Sequence, residues 1–424
     1  MIGNETILSD SAANLVSTLG LSAPALARIA GAAAAGQALA SIGLLVLWLM
    51  FPLSAYQPGA SDYQALKDVN WFVSTHNSLP TSLAPPSFAP LRPSPPPPLQ
   101  RLTRPRRSQR AQLPAGLIFT PSSAQDLAKA MPVVFTFSIP FAVRSGGHTP
   151  HAGPASTSGG LLIALDRLTQ LSLSADGSLA YVGPGNRWGQ VYKFLQPHDK
   201  LVVGGRMSAV GVGGLTTGGG NSYLSNLHGL ACDNVDSFEV VLASGRIVTA
   251  SALQNPDLFR ALKGGGGNFG IITRLTLPTV PSRGVWGGNA IYSPDKYPAL
   301  IRELVRYQSG GQAADPNASM VQNVMVSGSG SEAWFSMLFH AQPLADYPPS
   351  LAPWKALAPI VDTTRQRPSL FDLTLDTADL GPPVRFGPLP NLVSPPCPCL
   401  SVDSLWGLSF YRCDIRHCHW RLTL

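Results

Sequence analysis

Between residues 115 and 281, short apolar runs alternate with glycine-rich segments, and this pattern predicts many short strands and helices. Strands are predicted where apolar and β-branched residues cluster beside turn residues. These segments are LIF (117–119), VVFTFSIPFAVR (133–144), LLIAL (161–165), LAYV (179–182) and IITRLTL (271–277). Residues 236–251 predict a hairpin, in which two strands are joined by a turn at Ser244-Gly245.

Helical spacing of apolar residues predicts three helices in the same region. The first follows Ser123, whose spacing to Asp126 fits a capping box, and Pro132 is predicted to end it. The second, residues 188–195, places its aromatic and apolar side chains on one face, as expected for a core helix. The third begins after an Asn255 cap and is followed by a glycine loop and a strand.

Composition changes along the chain and predicts five regions. They are an N-terminal region with an apolar helix (1–79), a Pro/Arg-rich linker (80–114), a glycine-rich domain (115–281), a second, mixed α+β domain (282–390) and a disordered tail (391–424). The chain has 424 residues, of which 45% are hydrophobic and 12% charged, so it can bury a large core. This composition excludes a wholly disordered protein.

The N-terminal region contains no charged residue from Ile29 to Ser61, and residues 38–51 are its apolar centre. A signal anchor, a displaced signal sequence and a buried helix all fit this stretch. Membrane or secretory targeting is the favoured interpretation. We therefore expect anchoring near residues 29–53 and a secreted or membrane-associated protein.

The basic segment 101–110 and the cysteine-rich tail are weaker signals. A basic linker is favoured over a nucleic-acid patch, because no aromatic platform or nucleic-acid fold motif accompanies the arginines. No nucleic-acid partner is therefore expected. Four of the five cysteines lie in the last 28 residues, but their spacing fits no standard zinc pattern. We predict no metal site there.

Three glycine-rich stretches, 144–149, 202–223 and 263–271, carry the candidate chemistry. Glycine loops bind anions because bare backbone N–H groups can converge on one ligand. No P-loop is present, and the GxGxxG at 265–270 follows a helix instead of opening one, which disfavours a Rossmann nucleotide site. Turns in a glycine-rich β protein remain the alternative. Three such loops beside strands favour a long anionic ligand.

The segments FAVRSGGHTPHAG, SAVGVGGLTTGGG, GLACDNVDSFEVVLASG and DLFRALKGGGGNFGIITRLTL resemble FAD-linked oxidases of the berberine-bridge-enzyme type. These oxidases belong to the p-cresol methylhydroxylase/vanillyl-alcohol oxidase superfamily, and the similarity is greatest to fungal members. It runs continuously over residues 115–281. The resemblance implies an α+β fold, with a two-part FAD-binding domain at 115–281 and an antiparallel-sheet substrate domain at 282–390. The substrate domain is expected to be partial.

The resemblance also implies which residues bind FAD. His148 is expected to bond covalently to the 8α-methyl group of the flavin, while His151 stays unassigned. Val210 matches the position said to gate oxygen, and Met207 stands where some members have a second, cysteine link to the flavin. Asn221 departs from the family pattern. The expected cofactor-binding residues are Arg144, Ser145, Gly146, Gly147, His148, Thr149, Val210, Gly213, Gly214, Thr216, Gly219, Gly220, Asn221, Asp233, Val235, Gly267 and Ile271.

The activity implied by the resemblance is hydride transfer from an alcohol or amine C–H to FAD, with dioxygen as the acceptor. The expected partners are a small-molecule substrate and oxygen, in a monomeric protein. No catalytic residue is assigned. The segment 391–424 lacks the tyrosine- and asparagine-containing return of the family. An inactive or truncated FAD-binding member is therefore the alternative, and a nucleic-acid-binding protein relying on 101–110 is the more distant one.

Overall fold

The computed structural model describes residues 10–35, 37–67, 113–149, 153–326 and 332–376. Residues 80–112 of the predicted linker (80–114), the predicted tail and His151 lie outside these residues. The described chain forms an N-terminal group of helices and three larger β-sheets.

The N-terminal region folds as short helices. They are α1 (Asp10–Thr18), α2 (Ala23–Ala34), α3 (Leu39–Met50) and α4 (Ser61–Lys67), with strand β1 (Ala55–Tyr56) between the last two. The uncharged stretch is thus divided between α2 and α3, of 12 residues each. The expected membrane-spanning helix near 29–53 is not supported, because no helix of the described residues has the length and apolarity to cross a bilayer. Helix α3 instead buries Ile42, Val46 and Leu47 in a protein core.

The first sheet is mostly parallel and is covered by a helix with an internal proline. It contains β2 (Leu117–Phe119), β3 (Phe141–Arg144) and β4 (Leu161–Ala164) in the order β1-β2-β4-β3, with helix α5 (Ala124–Thr136) connecting β2 and β3. The predicted end of this helix at Pro132 is wrong. Burial of one face of α5, including Leu127 and Val133, holds the helix together despite the hydrogen bond that proline cannot make. Residues 133–136 are consequently helical and not strand.

The second sheet is antiparallel, in the order β5-β6-β10-β8-β9. Its strands are β5 (Leu171–Leu173), β6 (Leu179–Val182), β8 (Ser237–Val241), β9 (Ile247–Ser251) and β10 (Ile271–Pro278), and a separate small ladder joins β7 (Lys200–Leu201) to β11 (Val280–Pro281). The predicted hairpin 236–251 is confirmed by the pairing of β8 with β9. The helices are α6 (Trp188–Leu195), α7 (Val212–Thr217), α8 (Ser225–His228) and α9 (Pro256–Leu262).

Asn255 occupies the predicted N-cap position of α9, but its side chain makes no capping hydrogen bond. Asn255 does precede α9, but its side-chain amide donates to the carbonyl of Thr249 at 2.7 Å instead of capping the helix. The hairpin thereby fixes the start of α9. The Ser123 cap of α5 is confirmed, because its Oγ accepts from the Asp126 N–H at 3.2 Å.

The third sheet is also antiparallel, in the order β13-β14-β12-β15, with β16 beside β12. Its strands are β12 (Val285–Tyr292), β13 (Ala318–Val326), β14 (Glu332–His340), β15 (Val361–Asp362) and β16 (Arg365–Arg367). Helices α10 (Tyr297–Arg306), α11 (Gln312–Ala314), α12 (Ala352–Ala356) and α13 (Leu370–Asp376) accompany it. The second and third sheets share one hydrophobic core, and Tyr223 stacks on Phe339 with ring centroids 4.9 Å apart. The predicted α+β class with an antiparallel second domain is confirmed.

Candidate functional site

Loop A, defined as Arg144–Thr149, leaves the end of β3 and carries His148. The Arg144 side chain is 1% exposed, and its Nη2 lies 3.3 Å from Oδ2 of Asp166, the residue that follows β4 closely in the chain. Gly147 has a φ of 65°, a conformation that favours glycine. The ion pair and this turn together fix the direction in which loop A leaves the sheet.

Loop B, defined as residues 205–221, contacts loop A through glycine backbone. A Cβ added to Gly146 would lie 2.4 Å from both Cα and N of Gly211. Ser145 fastens the same contact, because its hydroxyl donates to the carbonyl of Pro184 at 2.5 Å and accepts from the Gly213 N–H at 3.2 Å. The adjacent glycines of loop A therefore permit a backbone approach that no side chain would allow.

Loop C, defined as Lys263–Gly270, reaches the other side of loop B. The Gly266 N–H donates to the carbonyl of Thr217, the last residue of α7, at 3.0 Å. Loop B thus contacts both of the other glycine loops. The fold brings together the glycine-rich stretches that the sequence singled out.

Two of the predicted glycines face open space within these loops. An added Cβ would meet nothing within 4 Å at Gly214 of loop B or at Gly267 of loop C. At Gly213, by contrast, it would lie 3.2 Å from the side chain of Ser145. Backbone at Gly214 and Gly267 is therefore accessible to a ligand.

Other predicted residues occupy supporting positions. Val235 and Ile271 are 4% exposed and lie in hydrophobic cores, and Thr216 is fully buried with its hydroxyl donating to the carbonyl of Val212. The exposed Asp233 accepts from the Leu230 N–H at 3.1 Å within its own turn. The contacts of these side chains maintain the loops.

The remaining predicted residues lie along loop B. The carbonyls of Gly219 and Gly220 accept from Cys232 and Ala231 at 2.9 and 2.8 Å. Val210 is half-buried, and its carbonyl accepts from Trp188 at 2.9 Å, while Asn221 is exposed. These bonds tie the middle and the C-terminal end of loop B to neighbouring segments.

His148 is held as a neutral imidazole at neutral pH. Its Nε2 atom is buried. Burial, and after it the positive charge of Arg187, lowers the pKa of His148 to about 4. Because this pKa lies below the ordinary value, the imidazole stays neutral above about pH 5, the form that can act as a nucleophile.

The structure adds Arg187, Asp166 and Arg206 to the residues found from the sequence. Arg187 forms an isolated bridge with Gly211, and its Nη1 donates to the carbonyl of Ala209. Burial, the largest effect, lowers the pKa of Arg187, whereas the negative charge of Asp166 acts to raise it. Arg206 belongs to loop B, and burial lowers its pKa, although the nearby Tyr223 acts in the opposite direction. Arg206 lies within loop B itself, whereas Asp166 and Arg187 have no local signal in the sequence, since they come near the loops only through the fold.

Comparison with known proteins points to the same cofactor as the sequence resemblance. Residues 115–251 match the family described as "FAD binding domain". This part of the chain is similar in sequence to FAD-binding domains. An FAD-dependent monooxygenase of Arthrobotrys oligospora is 46% identical over 225 residues, which are 52% of this chain and 43% of that protein. The FAD-dependent monooxygenase tpcD of Cochliobolus heterostrophus is 43% identical over 216 residues, 50% of this chain and 41% of that protein. The chain thus spans less than half the length of these relatives.

The fold is similar to that of solved structures that include an oxidase and a BBE-like protein. 6-Hydroxy-D-nicotine oxidase from Arthrobacter nicotinovorans superposes with a TM-score of 0.61 at 22% identity, over 77% of this chain and 64% of that one. Physcomitrella patens BBE-like 1 superposes with a TM-score of 0.59 at 20% identity, over 76% of this chain and 62% of that one. The predicted resemblance to berberine-bridge-enzyme-like flavoproteins is confirmed.

The residues of the loops fit FAD. Arg144 Nε is buried and has no hydrogen-bond partner among the described residues, so it offers a donor to an anionic group such as a diphosphate. The open backbone at Gly214 and Gly267 leaves room for an extended ligand. Arg144 and Arg187 bring two positive charges and Asp166 one negative charge to the cluster. A net positive charge suits a dianionic diphosphate.

Proposed function

We propose that this chain is an FAD-dependent oxidoreductase that holds its cofactor covalently through His148 and oxidises a small molecule. The hydride would come from a substrate carbon bearing an alcohol or amine, and dioxygen would be the final acceptor. The observation that carries the proposal is the contact of loop B with both loop A and loop C, beside a neutral His148. FAD, when bound, supplies the redox chemistry, and the protein supplies position and electrostatics.

In this proposal the chain's own groups divide the binding work. Arg144 and the backbone of loop A would hold the diphosphate, with open backbone at Gly214 and Gly267 along the rest of the cofactor. His148 would hold the ring through one imidazole nitrogen. Met207 has no thiol, so we propose a single link.

The substrate would bind between loop B and the third sheet. Tyr223, two residues beyond loop B, stacks on Phe339 of β14, and its carbonyl accepts from Ser319 of β13 at 2.9 Å. These contacts fix the third sheet next to the cofactor loops. We assign no catalytic residue.

A monooxygenase is the second candidate, because the fungal relatives are named FAD-dependent monooxygenases, whereas the proteins of similar fold include a named oxidase. Labelled dioxygen distinguishes the two during turnover of any substrate found by screening alcohols and amines. For an oxidase, we expect one hydrogen peroxide per product and no oxygen-18 in the product. Product that carries the label would overturn the oxidase assignment.

The inactive, truncated alternative is tested without a substrate. Protein purified from cells and then denatured in acid should keep its yellow colour if FAD is covalently attached. Colourless, well-folded protein that takes up no FAD would support the alternative. This result would contradict the proposed function as a whole.

Gly214→Ala should separate cofactor binding from folding. Nothing lies within 4 Å of the added methyl group, so the stability of the cofactor-free protein should stay within about 1 kcal/mol of wild type. A cofactor lying against this backbone would clash with the methyl group. We expect FAD affinity to fall about tenfold, which corresponds to about 1.4 kcal/mol. Thermal unfolding and FAD titration of cofactor-free protein measure the two effects.

Gly31→Ala is the matched control, since Gly31 is also helical and an added Cβ also meets nothing within 4 Å. Gly31 lies in α2, outside the glycine loops, so the FAD affinity of the Gly31→Ala protein should equal that of wild type. Equal affinity in Gly214→Ala would show that the cofactor does not lie along this part of loop B.

A further inference from the structure

Arg187 is anchored to loop B at Gly211, which lies against Gly146 of loop A, two residues before His148. It precedes α6, and its own N–H donates to the Gln190 side chain at 2.8 Å. Its Nη1 donates to the carbonyl of Ala209, and its backbone bridges Gly211, the residue in close contact with Gly146 of loop A. The guanidinium is therefore fixed by loop B and is not a freely moving surface group.

The charged residues around this position form one cluster from three parts of the chain. Arg144 comes from β3, Asp166 follows β4, and Arg187 precedes α6. Asp166 pairs with Arg144 at 3.3 Å and also attracts Arg187. With one carboxylate between two guanidinium groups, the cluster keeps one net positive charge while His148 is neutral. A second positive charge on the imidazole would be repelled by Arg187.

We propose that Arg187 is a positioning residue for attachment of the flavin, and that its fixed charge keeps His148 in the neutral form that attacks. The proposal rests on the proposed function, because it concerns how the covalent link to FAD is made. It assigns Arg187 a role that neither the FAD-binding domain match nor the sequence resemblance gives it. The charges of Arg144 and Asp166 act on the Arg187 guanidinium, which Asp166 attracts and Arg144 repels.

The chemistry requires a neutral imidazole. The new bond joins an imidazole nitrogen to the 8α carbon of the ring system and replaces one C–H bond and one N–H bond. The two electrons and two protons lost with these bonds would pass to dioxygen, which would leave as hydrogen peroxide. A protonated imidazole has no free lone pair on either nitrogen and cannot form this bond.

The direction of the pH effect follows from the cluster. In wild type the pKa of His148 is about 4, so attachment should proceed undiminished down to about pH 5. Arg187→Gln removes the neighbouring charge but leaves the burial, the larger effect, in place. The acid limb, which is the low-pH range where attachment declines as His148 becomes protonated, should therefore move up by about one pH unit. Arg187→Lys retains the charge, and its acid limb should stay near that of wild type.

The experiment uses full-length protein freed of FAD and then supplied with FAD in aerated buffer from pH 4 to 8. Covalent attachment is followed by flavin fluorescence of the denatured chain in gels, which needs no substrate. Arg246→Gln is the matched control, because Arg246 is exposed in the β8–β9 turn, and it should behave as wild type. An acid limb that is unmoved in folded Arg187→Gln would overturn the proposal. Equal loss of attachment in the Lys and Gln variants would also overturn it, since the role would then be structural.

A second measurement does not depend on folding of the variants. In cofactor-free wild-type protein with carbon-13-labelled histidine rings, the His148 signal should titrate with a midpoint near pH 4. A midpoint at or above about 6.5, the ordinary value, would overturn the proposal. Failure of wild type to attach FAD at any pH would contradict the proposed function itself. Attachment in wild type with unaltered variants would contradict only the role of Arg187.

Discussion

His148→Ala should abolish covalent attachment of FAD and leave any bound cofactor extractable by acid. The imidazole is a competent nucleophile, and its pKa of about 4 keeps it neutral at physiological pH. The methyl side chain of alanine cannot form the bond, so the expected loss of denatured-chain fluorescence is complete. Arg144 and the glycine backbone remain, and noncovalent binding of FAD should persist.

The control for this substitution is His228→Ala, because His228 is exposed at the end of α8, outside loops A, B and C. It should keep full fluorescence. In wild type, trypsin should release the flavin on peptide 145–167, which contains His148 and His151. Fragmentation of that peptide should place the added mass on His148. Retained fluorescence in His148→Ala would place the link on another residue and contradict the tether proposed for loop A.

Local patterns were sufficient to predict elements whose stability is largely local. The hairpin of β8 and β9 and the amphipathic helix α6 follow from alternation and helical spacing in their own residues. The helix end predicted at Pro132 was wrong because burial of α5 in a core outweighs one missing hydrogen bond. The uncharged N-terminal stretch was ambiguous for a similar reason. Its apolar residues pack against α5, a neighbour that the local sequence does not reveal.

The candidate site was predicted in its loops but not in its charges. Adjacent glycines are a strong local signal, because few positions require an absent side chain, and the structure places these loops in contact. Arg187 carries no such signal. It is 39 residues from His148 in the chain, and nothing before the fold is known joins the two. Asp166 likewise becomes significant only when β3 and β4 lie side by side in parallel.

Gly146→Ala should damage the protein far more than Gly214→Ala, which adds the same methyl group in open space. The added Cβ would lie 2.4 Å from Cα and N of Gly211, and both are backbone atoms that a rotamer change cannot move. Loops A and B would have to separate, which would stretch the bonds from Ser145 to Pro184 and Gly213. We expect a loss of roughly 3 kcal/mol in the free energy of unfolding, as overpacking of a rigid contact gives. FAD binding should fall below detection.

Chemical unfolding of cofactor-free protein measures the first effect, and FAD titration at a temperature where the variant is folded measures the second. Gly31→Ala is again the control, because it adds the same methyl group in open space and should change neither quantity. A Gly146→Ala protein with wild-type stability would mean that loop A does not press against Gly211. A destabilised variant with wild-type FAD affinity would mean that the contact supports the fold alone. Only loss of both agrees with a cofactor held where loops A and B meet, since separating the loops weakens the fold and the binding surface together.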